Sequence, residues 1–277
     1  MPEQLTTLSQ SSLQDYHDCP RRFELRYLQR LAYPAVETEP ALENEKHQQE
    51  GEYFHRLVQQ HLIGIPAAQV QKLANTENLQ RWWANFLDLG CLKDLQGQGL
   101  YPEITLSAPL GKFRLVAKYD LIAVGKERVT IFDWKTYRKR PKNEWLHVRW
   151  QTRVYRALLV QAGARFNNGK PFAPGQIEMV YWFSDFPTEP AHLVYHADQF
   201  KRDWDALTKI ADEISTGAAT PATNFPKTDE VSKCSYCPFR SYCNRGTRAG
   251  DSADAELETE AEELFDINFE QIGEIAF

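Results

Sequence analysis

Residues Phe113 to Thr136 read FRLVAKYDLIAVGKERVTIFDWKT. Apolar and β-branched residues alternate on both sides of Gly125-Lys126-Glu127, which predicts two antiparallel strands joined by a tight turn. In a hairpin centred near Lys126, cross-strand partners carry numbers that sum to about 252 or 253. Asp120 then lies opposite residue 132 or 133, and residue 133 is Asp133. Lys135, two residues further on, shares the face of Asp133. Like charges set opposite each other destabilise a sheet. The stretch therefore predicts a cation held where Asp120, Asp133 and Lys135 meet.

Outward from this hairpin, Leu100–Leu106 reads as a preceding strand, and its Glu103 is a weaker candidate for the same acidic patch. Asn143–Ala162 reads as one long helix with Trp145, Val148, Tyr155, Leu158 and Leu159 on or near its apolar stripe. Strands at Gln176–Phe183 and Ala191–Tyr195 follow, then a helix at Ala197–Ser215. Upstream, helices are expected at Ser9–Leu31 with Ser9 as N-cap, at Asn44–Ile63 ending before Pro66, and around Thr76–Leu89. Polar links fall at Val36–Glu45 and Thr216–Val231. Helices, three strands, a helix and more strands predict an α/β fold with a central mixed sheet flanked by helices. A purely parallel sheet fits less well, because the central turn is too short for a crossover.

The chain has 277 residues, 42% of them apolar, enough for one large domain. It contains no apolar run of membrane-spanning length, and MPEQLTTLSQ lacks the apolar core of a signal peptide, so a cytoplasmic protein without membrane contact is expected. The net charge of −6 hides an asymmetry. Residues 251–277 carry ten acidic side chains and no basic ones, which leaves +4 (−6 less −10) on residues 1–250. A mildly basic body suits a polyanionic partner. The acidic end predicts a helical or disordered tail that docks on a partner, competes with a polyanion for a basic cleft or only aids solubility.

Five cysteines are too few and too unevenly spaced for a disulfide framework. Cys234, Cys237 and Cys243 place three thiols in one short segment, a pattern that suits zinc or an iron–sulfur cluster, each wanting four ligands. Cys19 or Cys91 would supply the fourth, and spacing does not choose between them.

At the hairpin, a divalent ion of the Mg²⁺ type would take oxygens from Asp120 and Asp133, with the Trp134 carbonyl as a further ligand. Lys135 would orient water or stabilise a developing oxyanion. The plainer reading is a surface ion pair. Arg138, Lys139, Arg140 and Lys142 leave the same strand end and would hold phosphates, or form an ordinary solvated loop. Trp134, Trp145 and Trp150 would stack bases of a single strand, or simply pack.

Asp133-Trp134-Lys135-Thr136, preceded by the strand ending in Asp120, resembles the PD-(D/E)XK nuclease superfamily, specifically its RecB-type branch. The likeness continues elsewhere. LSQSSLQDYHDCPRRFELRYL, with Cys19-Pro20 and Phe23, is similar to that branch's opening helix. Gly51-Glu52-Tyr53-Phe54-His55 is similar to its G-x-x-x-H helix, Gln151 and Tyr155 to its Q-x-x-x-Y helix, and CSYCPFRSYC to its C-terminal cluster segment. These motifs span roughly residues 8–245 in the branch's order.

The resemblance implies a restriction-endonuclease-like core over residues 8–245, with 246–277 as a tail. It implies metal binding at His55, Asp120 and Asp133, a catalytic role for Lys135, and a role for Gln151 and Tyr155 in contacting DNA or bracing the site. It also implies a [4Fe–4S] cluster on Cys19, Cys234, Cys237 and Cys243, with zinc as the less favoured occupant and Cys91 as a small buried apolar residue. The activity it implies is Mg²⁺- or Mn²⁺-dependent hydrolysis of DNA phosphodiesters, at single strands or ends, in repair or recombination. CRISPR-associated exonucleases share the motifs. A non-catalytic DNA-binding or scaffold subunit is the alternative, and the presence of Asp120, Asp133 and Lys135 argues against it. No G-x-x-x-x-G-K-[ST] loop occurs, so a helicase motor or repair protein would be a separate partner. One departure is Ala117, where the branch usually has glycine. Its methyl group is expected to narrow the approach of a DNA backbone.

Overall fold

A computed structural model describes residues 5–31, 39–88, 95, 97–219 and 225–246. The acidic tail and Cys91 lie outside them. Strands β1 (Thr7–Leu8), β2 (Gly99–Leu110), β3 (Phe113–Val124), β4 (Val129–Lys135), β5 (Ile177–Phe183) and β6 (Ala191–Val194) form one sheet. β3 is its spine. β2 runs antiparallel along one whole edge of β3. The other edge is shared: β1 pairs parallel at Arg114 and Leu115, and β4 pairs antiparallel from Leu121–Phe132 to Val124–Val129. β4 and β5 are parallel, and β6 closes the sheet antiparallel to β5. The mixed α/β fold expected from the sequence is the fold observed.

Helices cover both faces. Helix α1 (Gln10–Asp18), helix α5 (Trp150–Ala162) and helix α6 (Ala197–Ala218) pack on one, through Leu13, Val154, Leu158, Leu207 and Ile214. Helices α2 (Glu39–Leu62) and α3 (Glu77–Leu87) pack on the other, where Phe54, Trp82, Trp83 and Phe86 meet Phe132, Trp134 and Trp182. Helix α4 (Asn143–Val148) precedes α5. None of the described helices is long and apolar enough to cross a membrane.

Two expected helices are broken. Ser9 caps α1 as expected, but α1 stops at Asp18, because Pro20 removes a donor and holds the preceding residue extended. Cys19 sits in that break at φ −161°, ψ 106°, and a π-helical turn (Glu24–Leu28) follows shortly after. The long helix expected over Asn143–Ala162 breaks at Arg149, whose ψ of 143° is extended. The Arg149 side chain is buried there, bonding Tyr137 Oη at 3.1 Å with its guanidinium over the Trp145 ring.

Side-chain alternation also changes phase midway along β2 and β3. Phe113, Leu115, Ala117 and Tyr119 face α1, α5 and α6, and so does Ile122, while Leu121 and Ala123 face α2 and α3. A strict period of two cannot put both 119 and 122 on one face. The same shift separates Tyr101 from Ile104 on β2. The paired residues skip Glu103 and Asp120, which stand at one level. Glu103 has φ 53°, a left-handed backbone that costs on the order of 1–2 kcal/mol for a residue with a Cβ. The register is the same on both sides of this gap, so both strands kink together where the acids gather, with no residue inserted.

Candidate active site

The register that sets Leu121 opposite Phe132 brings Asp120 level with Asp133, as the turn position predicts. The two carboxylates do not simply face each other. The ladder opens at this level, and Asp120 Oδ2 accepts the Trp134 backbone N–H at 2.7 Å. Its other oxygen lies 3.1 Å from His55 Nδ1 on α2. Burial would raise the Asp120 carboxyl, but His55, Lys135 and the Trp134 N–H outweigh it and hold the group below its ordinary value.

Asp133 and Lys135 share the face toward α5. Lys135 Nζ is 2.6 Å from Asp133 Oδ2, and Gln151 Nε2 donates to Asp133 Oδ1 at 3.0 Å. Both members of the ion pair are buried, so the plain surface ion pair is not what the fold provides. Gln151 is fixed in turn by Tyr181, which donates to its Oε1 at 3.4 Å and meets Thr152 Oγ1 at 2.7 Å. The Tyr155 ring is buried, 4.7 Å from the Tyr119 ring. That position braces the floor of the site and leaves no surface for DNA. Burial, with Asp133 and Asp120 nearby, pushes its hydroxyl well above the ordinary tyrosine range.

Among the described residues, His55, Glu103 and Asp120 each offer a possible ligand atom, all within 4.8 Å of one another. Asp133, the third ligand that the resemblance implies, stands level with Asp120 and is bonded by Lys135 and Gln151. Glu103, the weaker candidate of the sequence, stands with Asp120 and His55. The signal lay in the second hairpin: its turn at Gly111-Lys112 sets residue 103 opposite residue 120, and Pro102 marks an edge strand with an irregularity. Glu103 also pairs with Lys118. Burial first, then Asp120, raises the Glu103 carboxyl.

Gly51 has a visible reason. A Cβ there would lie 2.8 Å from Thr136 Oγ1 at the end of β4. The missing side chain lets α2 approach the Asp133–Thr136 strand and carry His55 to Asp120. Nearby, His47 Nε2 meets the Thr136 carbonyl at 2.7 Å. Gly51→Ala gains helix propensity of about 1 kcal/mol but overpacks a close contact at about 1–3 kcal/mol. The expected result is a lower melting temperature and an activity loss larger than that drop explains. A variant as stable and active as the parent would show that the approach is not needed.

The remaining candidates divide. Arg138, Lys139 and Lys142 are exposed beside the site. Arg140 is committed to structure, donating to the Glu189 carbonyl and to Asn143 Oδ1 at 2.8 Å, with its guanidinium over Phe183. Trp134 is buried between β4 and helices α2 and α3, so it stacks on no base. Ala117 is buried among the residues facing α1, α5 and α6, so its methyl group does not narrow a path for DNA.

Cys19, Cys234, Cys237 and Cys243 line one pocket together with Arg22, Lys227, Lys233 and Arg240. The Cys237 thiol is pushed up by burial and by Cys19 and Cys243, against the pull of Arg22. Around this pocket, Arg22 bonds Asp15 and Asp18 at 2.8 Å, Lys233 reaches Asp18 at 3.4 Å, and Arg21 N–H donates to the Pro226 carbonyl at 3.1 Å. The break at Cys19-Pro20 is what turns the first cysteine toward the other three.

Comparison with curated protein sequences gives no match. Among solved structures the chain is similar to that of SSO0001, at 12% identity and a TM-score of 0.38, covering 89% of this chain and 90% of that one. It is also similar to a "Putative exonuclease" of Eubacterium rectale, at 13% identity and a TM-score of 0.48, covering 81% and 85%. The sequence profile of the PD-(D/E)XK nuclease superfamily matches residues 7–244, a span that contains every element of the site described above. The chain belongs to the PD-(D/E)XK nuclease superfamily.

Proposed function

We propose that the chain is a metal-dependent deoxyribonuclease that hydrolyses phosphodiester bonds at single strands or strand ends. The observation that carries this reading is the junction of a nitrogen and two carboxylates, His55, Glu103 and Asp120, with the buried Lys135–Asp133 pair. The carboxylate oxygens of Glu103 and Asp120 suit Mg²⁺ or Mn²⁺, with His55 beside them as a further ligand. An ion bound there would supply Lewis-acid neutralisation of phosphoryl charge. The protein's own groups do the rest. Asp133 and Gln151 fix the Lys135 ammonium, which donates to a phosphoryl oxygen as its charge develops. Tyr155 and Tyr119 keep the floor of the site dry and rigid. Arg138, Lys139 and Lys142 hold neighbouring phosphates and make binding salt-dependent.

The nuclease domain is residues 8–245, with cysteine ligands at both ends. Cys19, Cys234, Cys237 and Cys243 hold a [4Fe–4S] cluster, zinc being the alternative occupant. Four thiols in one pocket among arginines and lysines fit an anionic thiolate centre. Iron and zinc content of protein purified without oxygen decides between the two. Repair or recombination, in which single strands and strand ends arise, is the setting this reading suits.

The test is cleavage of end-labelled linear and circular single-stranded DNA with Mg²⁺, with Mn²⁺ and with neither. Cleavage only with metal supports the reading, and metal-independent cleavage refutes it. Glu103→Gln is expected to raise the half-saturating metal concentration about tenfold or more. An unchanged metal requirement would remove Glu103 from the ligand set.

A further inference from the structure

A second pocket, about 220 Å³ in volume, lies where α1, the α4–α5 junction and the cysteine segment meet. Trp145, Val148, Arg149 and Trp150 form one wall, and His17 and Lys233 the other. Pockets for drug-sized ligands run to about 300–1,000 Å³, so this one is on the scale of a single base. Its chemistry is aromatic and cationic. The Arg149 guanidinium lies 4.3 Å from the Trp145 ring, and the Arg153 guanidinium 4.1 Å from the Trp150 ring. The His17 imidazole meets Trp150 edge-on at 5.7 Å. The acid on its rim, Asp18, already bonds Arg22 and Lys233. Beside it Val148 is 68% exposed, a large apolar side chain left facing solvent.

We propose that this pocket takes one base of a single-stranded DNA substrate, stacked on Trp145, which Arg149 holds in place, with Lys233 against an adjoining phosphate. The inference rests on the nuclease reading for its substrate class. Flat aromatic surfaces among cations bind single strands because every base has a face to stack, whereas paired bases keep theirs inside the duplex. Position supports it. Trp150 directly precedes Gln151, which holds Asp133, and Arg149 bonds Tyr137 Oη two residues past Lys135. A base seated here packs against the start of the helix that carries Gln151. Asp18 and Lys233, each adjacent to a cysteine of the proposed cluster, close the far wall through their 3.4 Å contact. The cysteine centre thereby shapes the strand path.

The test reads binding without cleavage, by fluorescence anisotropy of a labelled oligothymidylate at fixed salt without divalent ions. Its outcome is therefore separate from whether Lys135 drives hydrolysis. Trp145→Ala is expected to raise Kd about tenfold. Val148→Glu, at a position open enough to keep the fold, is expected to raise it several-fold by repelling the strand. Trp145→Phe is expected to retain most of the affinity. Unchanged Kd in both Trp145→Ala and Val148→Glu would overturn the proposal, as would equal affinity for a duplex of the same length. Preference for an oligouridylate would overturn the choice of DNA.

Discussion

Lys135→Ala is expected to lower DNA cleavage by about 10²–10³-fold, the usual cost of removing one donor aimed at developing charge, while single-strand binding persists. The geometry adds a second effect. Lys135 and Asp133 form a buried pair at 2.6 Å, and removing one partner strands the other charge. Such losses run to about 3–5 kcal/mol, although the Gln151 hydrogen bond that Asp133 keeps places this one at the lower end. At about 2–4 °C per kcal/mol the melting temperature falls by roughly 6–12 °C. The double variant Asp133→Asn/Lys135→Ala separates the two effects: it regains most of the stability and none of the activity. Cleavage by Lys135→Ala within tenfold of the parent would refute the assignment of Lys135.

Cys19→Ser is expected to be the most damaging change to stability. Binding energy at a structural thiolate site, about 10–16 kcal/mol for zinc in small domains, is energy of folding. Here it would join the start of the domain to its end, around the buried Arg22–Asp15–Asp18 cluster. The variant is expected to lose its metal, to melt more than about 10 °C lower, which takes only about 3–5 kcal/mol, and to be cut by protease near residues 19–31. Cys91→Ser is the control, since sequence spacing alone leaves Cys91 as an alternative ligand. Metal retained in Cys19→Ser but lost in Cys91→Ser would overturn the ligand set.

Much of the site was legible because strand pairing is arithmetic. The turn at Gly125 fixes Asp120 against Asp133, and the turn at Gly111 fixes Glu103 against Asp120 in the same way. What arithmetic missed is the kink shared by β2 and β3. It turns Asp120 to His55 and Trp134, and only Pro102 hints at it. The break at Cys19 was readable from Pro20, but apolar residues at helical spacing continue past it and mask the stop. The break at Arg149 has no proline or glycine to announce it; that arginine's partner, Tyr137, is twelve residues away. Arg140 shows the same limit. Its charge is visible in the sequence, but its commitment to Glu189 and Phe183 depends on chain made some forty residues later.

The closure of α1 onto the cysteine segment sets a clock on synthesis. Asp18 meets Lys233 and Arg21 meets Pro226, contacts that span more than two hundred residues. At roughly 5–20 residues per second, the first helix leaves the ribosome about 10–40 s before its partners exist. Asp15, Asp18 and Arg22 can pair with one another during that interval, but the contact of Asp18 with Lys233 cannot form. The sheet can assemble meanwhile through the short β2–β3–β4 connections, and β1 can join β3 as soon as that strand exists, so only the contacts to residues 226–233 must wait for the end of the chain.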